Sequence, residues 1–173
     1  TDPMYPYRLT AFRSEVVALT RLEYDGHGYL LRMIEGGTRY YVATDQVGSP
    51  RAVFQINGTL VKEIEYDSYG VVLSDSNPSL VLPIGFAGGL SDADTGLVRF
   101  AFRDYEPESG RFTSRDPIGF RGGDPNLYRY VHNNPVSFTD PLGLWTFQIG
   151  LSGTAGLGGA GNAGLGLAIS YGE

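Results

Sequence analysis

Residues 60–70 read LVKEIEYDSYG, and this stretch contains the two features that decide the fold. The run from Leu60 to Tyr66 alternates with a period of two, which is typical of a β-strand with one buried face. Asp67 and Gly70 follow it as a turn, because an Asp carboxylate caps the backbone after it and Gly accepts a positive φ. The stretch therefore predicts a strand that ends in a hairpin turn.

The same Asp-x-x-Gly step recurs along the first half of the chain. It begins at Asp25, Asp45 and Asp67, with spacings of 20 and 22 residues, and each copy follows an alternating stretch. Asn57-Gly58 adds a further hairpin signal. One repeat predicts one hairpin, so we expect an all-β fold of antiparallel strands with few short helical turns.

Composition excludes several classes of protein. The 13 basic and 19 acidic residues give a net charge of -6, which argues against nucleic-acid binding. With 42% apolar residues the chain can bury a core as one domain. Cysteine is absent, so disulfides and thiolate chemistry are excluded. The sequence begins at Thr1 without a Met and without the charged and apolar regions of a signal peptide. The chain is therefore expected to be a fragment of a longer protein.

Changes in composition divide the chain into three segments. Residues 1–81 carry the hairpin repeats, and residues 82–144 are crowded with turn formers, arginines and aromatic rings. Residues 145–173 contain nine glycines among 29 residues, with Glu173 as the only charge. Alternation around residues 145–151 and 165–171 favours two extended segments in this tail, with a flexible linker and a membrane span as less favoured alternatives.

Four motifs carry a resemblance to a known family. They are Tyr-Asp repeats, a Tyr-rich run ending in Asp-Gln-Val-Gly-Ser-Pro-Arg, a Gly-Gly-Leu-Ser-Asp motif and a closing Asp-Pro-Leu-Gly-Leu. Together with Asn-Leu-Tyr-Arg-Tyr at 126–130, they resemble the Rhs repeat-associated core over residues 21–144. This family includes Rhs polymorphic toxins, the C component of ABC toxins, and the teneurins.

The resemblance implies a spiralling β-sheet shell of Tyr-Asp (YD) repeats that encloses a C-terminal toxin and cuts itself as an aspartic protease. Carried over by position, Asp116 and Asp140 are the paired acids, Arg103 assists them, and the cut lies between Leu144 and Trp145. The implied partners are the rest of the shell, the enclosed toxin, an immunity protein and secretion components such as type VI. The protein would be made in the bacterial cytoplasm and delivered outside the cell.

The sequence departs from that family in two ways. It has too few repeats to close a shell alone, and after Leu144 it offers a Gly-rich segment where relatives carry a toxin. A different interpretation is a non-cleaving structural or adhesive module of the teneurin kind.

The two candidate acids lie 24 residues apart in matching Asp-Pro-x-Gly turns. Hydrolysis by two carboxyl groups needs one ionised and one protonated acid, which close spacing can supply. Spacing alone favours two turn-capping aspartates, and it is the resemblance that favours catalysis. Arg103 could hold one of the two acids, or it could instead pair with Asp104 or Glu106 or stack on Tyr105. Three other arginines are rivals for the role: Arg99, Arg111 and Arg115.

Other motifs give weaker signals. Asp94-Thr95-Gly96 matches the tripeptide of pepsin-like proteases, but a polar segment precedes it, and with Asp92 it is better explained as a plain turn than as a calcium loop. His27 and His132 have no partners at zinc-ligand spacing and are expected in turns or at the surface. No cofactor or metal is predicted.

Overall fold

The computed structural model describes residues 7–13, 19–144 and 146–148, the last two of these as backbone alone. Over these ranges the chain forms short strands joined by tight turns, with three single 3₁₀ turns. The first seven strands are β1 Ala11–Phe12, β2 Thr20–Tyr24, β3 Leu30–Glu35, β4 Thr38–Thr44, β5 Pro50–Gln55, β6 Leu60–Tyr66 and β7 Val72–Asp75. The remaining strands are β8 Leu90–Ser91, β9 Val98–Phe100, β10 Arg103–Glu106, β11 Arg111–Phe112, β12 Phe138–Thr139 and β13 Phe147–Gln148.

These strands form three antiparallel sheets. Strands β1 to β7 make one sheet in sequence order, in which every strand pairs with its neighbours along the chain. Strands β8 to β11 make a second sheet in the order β11-β10-β9-β8, and β12 pairs with β13. The all-β prediction is confirmed, because meandering hairpins are the simplest product of alternating segments separated by turns.

The repeated Asp-x-x-Gly steps form the hairpin turns that the sequence predicts. In each one the Asp Oδ1 accepts two backbone N–H groups, as at Asp67, where Tyr69 and Val71 donate at 2.8 and 2.9 Å. Gly70 follows with a φ of 93°, and a Cβ there would lie 2.3 Å from the Phe86 ring. Glycine is therefore needed both for the turn and for the ring that packs on it.

The first sheet buries an aliphatic cluster between its strands and the loop that follows β7. Its members share nearly complete burial: Leu22, Leu30, Met33, Val42, Val53, Leu80 and Ile84. The single lysine, Lys62, is also buried, on the same face of β6 as Ile64. Its Nζ donates to Asp75 Oδ2 at 2.7 Å and to the Asn77 carbonyl at 2.8 Å, which compensates the charge.

The second sheet packs around an aromatic cluster. Tyr105 and Tyr130 are both fully buried with ring centroids 4.4 Å apart, and Phe100 stacks on Tyr130 at 5.5 Å. Phe86 joins Tyr105 at 5.8 Å, nearly parallel. Such pairs add to the apolar burial of the rings, so this cluster is the core on which residues 82–144 fold.

Hydrogen bonds join the two sheets. The Tyr105 hydroxyl donates to the Tyr69 carbonyl at 2.8 Å, inside the third hairpin turn. The Ala87 N–H donates to Ser49 Oγ at 2.9 Å, and both residues are buried. The hairpin sheet and the aromatic core therefore pack against each other. The segment boundary predicted at residue 81 stays a prediction.

Two details differ from the sequence prediction or lie beyond it. Residues 126–130 form turns, and a 3₁₀ turn follows them at Val131–Asn133. Strand β13 covers part of the extended segment predicted after Leu144. The rest of that segment and residues 165–171 lie outside the described residues. None of the helices in the described part of the chain is long and apolar enough to span a membrane.

Candidate active site

Asp116 opens the first Asp-Pro-x-Gly turn. Its Oδ1 accepts the Ile118 N–H at 2.9 Å, and the Gly119 N–H donates to its carbonyl at 3.0 Å. The Asp116 N–H in turn donates to the Leu127 carbonyl at 2.9 Å, which fixes the turn against the chain that follows. The side chain is only 9% exposed, and its Oδ2 points away from the turn toward Arg103.

Asp140 opens the second turn, in the loop between β12 and β13. Its Oδ1 accepts the Leu144 N–H at 2.9 Å, and its carbonyl accepts the Gly143 N–H at 3.1 Å. The pairing of Thr139 with Phe147 closes this loop, so the predicted cut between residues 144 and 145 falls within a hairpin loop. The Asp140 side chain is 4% exposed, and its Oδ2 also faces Arg103.

Arg103, the first residue of β10, joins the two acids. Its Nη2 lies 3.2 Å from Asp116 Oδ2 and 3.3 Å from Asp140 Oδ2. Its Nε donates to the Gly143 carbonyl and its Nη1 to the Leu127 carbonyl. One buried guanidinium therefore holds both carboxyl groups and the backbone of both turns, using the fixed fork geometry that lysine lacks.

The environment of Arg103 is dry and strongly charged. Its Cζ lies 3.5 Å from the centroid of the Phe112 ring, so the guanidinium stacks on an aromatic face. Burial lowers the pKa of Arg103, and the charges of Asp116 and Asp140 oppose that lowering. A guanidinium remains protonated under such a perturbation, so the site contains a permanent cation between two acids.

The three other candidate arginines lie elsewhere. Arg99 forms a salt bridge with Asp104, with Nη2 2.7 Å from Asp104 Oδ2, and its side chain is 57% exposed. Arg111 and Arg115 are exposed. The structure therefore places Arg103, and not these rivals, beside the two acids. It also corrects the alternative pairing of Arg103 with Asp104.

The Asp94-Thr95-Gly96 tripeptide forms an exposed turn between β8 and β9. Asp92 Oδ1 accepts the Asp94 N–H at 3.0 Å, and Gly96 has a φ of 72°. The interpretation as a plain turn is confirmed, since a pepsin-like acid would be buried opposite a second one.

The histidines lie at the surface. His27 and His132 have side chains 63% and 49% exposed, beside Asp25 and Asp124 respectively, which confirms the prediction for both. Within the described residues there is no group of three or more His, Cys, Asp or Glu side chains that could hold a metal ion.

The Leu144 carbonyl and the Asp116 carboxyl group both lie beside Gly122. A Cβ built on Gly122 would lie 3.0 Å from Asp116 Oδ2 and 3.4 Å from the Leu144 oxygen. The carboxyl group and the carbonyl of the predicted scissile bond therefore approach the same side of Gly122. Trp145, on the other side of that bond, lies outside the described residues.

Sequence reasoning missed three parts of this site. Gly122 and the Phe112 ring come from segments with no motif of their own, and Leu127 belongs to the Asn-Leu-Tyr-Arg-Tyr motif but contributes its backbone carbonyl, which the motif does not predict. Strand pairing could have identified Phe112. It pairs with Tyr105 across β10 and β11, and Tyr105 is two residues from Arg103 on β10. No local pattern distinguishes Gly122 from the neighbouring glycines.

Comparison with known proteins gives a consistent result. The teneurin YD-shell family model matches residues 1–136, a range that includes Arg103 and Asp116 and ends before Asp140. Teneurin-3 of Danio rerio is 43% identical over 163 residues, which is 86% of this chain and 6% of that protein. Teneurin-m of Drosophila melanogaster is 34% identical over 146 residues, 81% of this chain and 5% of that protein.

Solved structures show the same similarity. The crystal structure of TcdB2-TccC3 without its hypervariable C-terminal region superposes with a TM-score of 0.60 at 28% identity. The match covers 78% of this chain and 6% of that chain. The TcdB2-TccC3-Cdc42 structure gives the same TM-score at 29% identity. This chain therefore corresponds to a small part of each of these proteins.

Proposed function

This chain belongs to the teneurin YD-shell family, and we propose that it is the closing segment of an Rhs-type YD-repeat shell that cuts itself after Leu144. The cut would be made in cis by Asp116 and Asp140, with Arg103 holding both acids. It would separate the shell from the segment that begins at Trp145.

The convergence of the two Oδ2 atoms is the observation that carries this proposal. Both lie within 3.3 Å of Arg103 Nη2, although the two acids are 24 residues apart in the sequence. Each Oδ1 is already used by a turn, so the turns alone require nothing of Oδ2. Two nearly buried carboxyl groups brought together beside a peptide bond are the arrangement that aspartic proteolysis needs.

The geometry suggests separate roles for the two acids. Water attacks the Leu144 carbonyl carbon and gives its proton to the ionised carboxylate, which we assign to Asp140. Asp116, which faces the Leu144 oxygen across Gly122, donates its proton to that oxygen. The tetrahedral intermediate then collapses, the bond to the Trp145 nitrogen breaks, and that nitrogen takes the proton from Asp140.

The strand pairing around the loop supports a single turnover. Residues on both sides of the scissile bond are paired, Thr139 with Phe147 and Phe138 with Gln148. After hydrolysis, this pairing would keep the new N-terminal end beside the acids and block a second substrate. The reaction would therefore be a processing step and would not produce a protease that acts on other proteins.

The wider role follows from the shell. We propose that this segment closes a larger YD-repeat shell supplied by the rest of the protein and that the enclosed cargo is a C-terminal toxin. Its partners would be that toxin, an immunity protein and a delivery apparatus such as type VI secretion, with action outside the producing cell. The change to a Gly-rich composition after Leu144 supports a functional boundary there.

Intact-mass measurement of the natural polypeptide that carries residues 1–173 tests the proposal. We expect a break that leaves Trp145 as a new N-terminus in the wild type. Asp116→Asn and Asp140→Asn should each abolish the break while the protein stays folded, because the amide keeps the shape and removes the exchangeable proton. Asp94→Asn is the matched control and should cut at the wild-type rate. Wild-type cutting that survives either of the first two changes would overturn the assignment of the acids.

A second candidate function is a non-cleaving structural or adhesive module, as in the teneurin interpretation. The observation in its favour is that both acids cap turns and share Arg103, which is sufficient to stabilise the fold. A folded wild-type protein that stays uncut after prolonged incubation would support this function. In that case, Asp116→Asn would change stability alone.

A further inference from the structure

Gly122 occupies a tight position beside the two reacting groups. It ends the 3₁₀ turn Gly119–Gly122, and the three heavy atoms nearest to its built Cβ all belong to Asp116 and Leu144. The Asp116 Oδ2 distance of 3.0 Å is closer than a methyl group accepts comfortably, and the Leu144 oxygen at 3.4 Å would already be in van der Waals contact with it.

Neither neighbour is free to move away from an added methyl group. Asp116 is held through Oδ1 by the Ile118 N–H and through Oδ2 by Arg103 at 3.2 Å. The Leu144 oxygen is part of the backbone, and the N–H of the same residue is held by Asp140 at 2.9 Å. A methyl group at position 122 would therefore touch the Leu144 oxygen and displace the Asp116 carboxyl group by a few tenths of an ångström.

The backbone itself does not require glycine at this position. Gly122 is not among the residues with positive φ, whereas its neighbours Gly119 and Gly123 have values of 61° and 81°. Alanine can adopt the conformation of residue 122 without backbone strain. The need for glycine thus comes from the space between Asp116 and Leu144.

We propose that Gly122 is a positioning residue for the self-cleavage reaction, where its missing side chain lets the Asp116 carboxyl group approach the Leu144 carbonyl. This inference rests on the proposed function. It identifies a third segment of the site, beyond the two Asp-Pro-x-Gly turns, that sets the rate of cleavage. A displacement of a few tenths of an ångström at a reacting group is enough to slow a reaction severely, since about 1 Å can cost a hundredfold.

The test compares Gly122→Ala and Gly122→Ser with the same changes at Gly26, in the natural polypeptide that carries this chain. Gly26 also lacks positive φ, and its built Cβ has no neighbour within 4 Å. The cleavage rate per folded molecule is measured by intact mass, with folding measured by urea titration. We expect Gly122→Ala to cut at least tenfold more slowly and Gly122→Ser more slowly still, while both Gly26 variants match the wild type.

Rate and stability measured together separate positioning from a purely structural effect. A structural role predicts that Gly122→Ala lowers the free energy of unfolding and leaves the cleavage rate per folded molecule unchanged. Positioning predicts that the rate per folded molecule falls even in buffer in which the variant is fully folded. Loss of folding without a loss of rate per folded molecule would show a structural role and overturn the inference.

The outcomes for Gly122 and for the proposed function are distinct. A wild-type chain that never cuts would overturn both. A wild type that cuts, an Asp116→Asn variant that does not, and a Gly122→Ala variant that cuts at the wild-type rate would overturn the Gly122 inference alone.

Discussion

Replacement of Arg103 by methionine should destabilise the protein more than any other single change of an arginine in the described chain. Methionine retains an apolar stem against Phe112 but leaves Asp116 and Asp140 without their cation. These side chains are 9% and 4% exposed, and removing one partner of a buried ion pair costs about 3–5 kcal/mol. The Gly143 and Leu127 carbonyls also lose a donor. We therefore expect a loss of about 4 kcal/mol in the free energy of unfolding at pH 7.

Urea unfolding measures this effect, with Arg99→Met as the matched control. Arg99 forms a two-pronged ion pair with Asp104, but its side chain is 57% exposed, so its removal should cost less than about 1 kcal/mol. Samples are compared in the same cleavage state, as judged by intact mass.

Two results would refute this reasoning about Arg103. One is a loss for Arg103→Met within about 1 kcal/mol of that for Arg99→Met, which would mean that the buried carboxyl groups do not depend on the guanidinium. The other is a deficit that persists unchanged when Asp116 and Asp140 are also replaced by asparagine. A triple variant that also carries Asp116→Asn and Asp140→Asn should regain much of the stability, because no unpaired charge then remains buried.

Two further predictions concern stability away from the site. Asp75→Ala should lower the free energy of unfolding by about 2 kcal/mol, because it leaves Lys62 Nζ buried with the Asn77 carbonyl as its remaining acceptor. Lys62→Met should lower it less, because this change removes the buried charge itself. Equal losses of the two variants in urea titration would contradict this prediction. Burial raises the pKa of Tyr66 to about 12, with Arg51 opposing the rise, and burial also raises the pKa of Tyr105 and Tyr130. An unfolded tyrosine ionises near pH 10, so the part of the free energy of unfolding that these tyrosines contribute should be constant below that pH and fall between about pH 10 and 12. Absorbance at 295 nm should show these rings ionising only as the protein unfolds, and full ionisation in the folded state below pH 11 would contradict the assignment.

The hairpins could be predicted from the sequence because their determinants are local. Asp67 caps a turn with its own carboxylate, and Gly70 supplies the positive φ, so four consecutive residues specify the structure. Lys62 shows the limit of this approach. It lies on the buried face of β6, and its partner Asp75 is 13 residues away on the next strand. Alternation predicts which residues share a face, but not that a charged side chain will find a partner there.

The candidate site shows the same limit more clearly. Spacing predicted two equivalent Asp-Pro-x-Gly turns and could not decide whether Asp116 and Asp140 cap turns or act together. In the structure each acid caps its own turn through Oδ1, which accepts a backbone N–H, and also faces the shared Arg103 through Oδ2. The approach of Gly122 to Asp116 and Leu144 depends on three segments that meet only in the folded chain.

Because Oδ1 and Oδ2 of each acid have different partners, a related chain could keep the two turns and lose the cut. A chain that needs the turns but not the cut must keep Oδ1 of both acids and can replace either residue by asparagine, since an amide oxygen still accepts the backbone N–H. A chain that needs the cut must keep both carboxyl groups, the buried cation beside them and the absence of a side chain at Gly122. The turns and the pairing of both Oδ2 atoms with one guanidinium are therefore compatible with either proposed function, because both stabilise the fold, whereas a pair of carboxyl groups that can exchange protons is required only by the cleaving one.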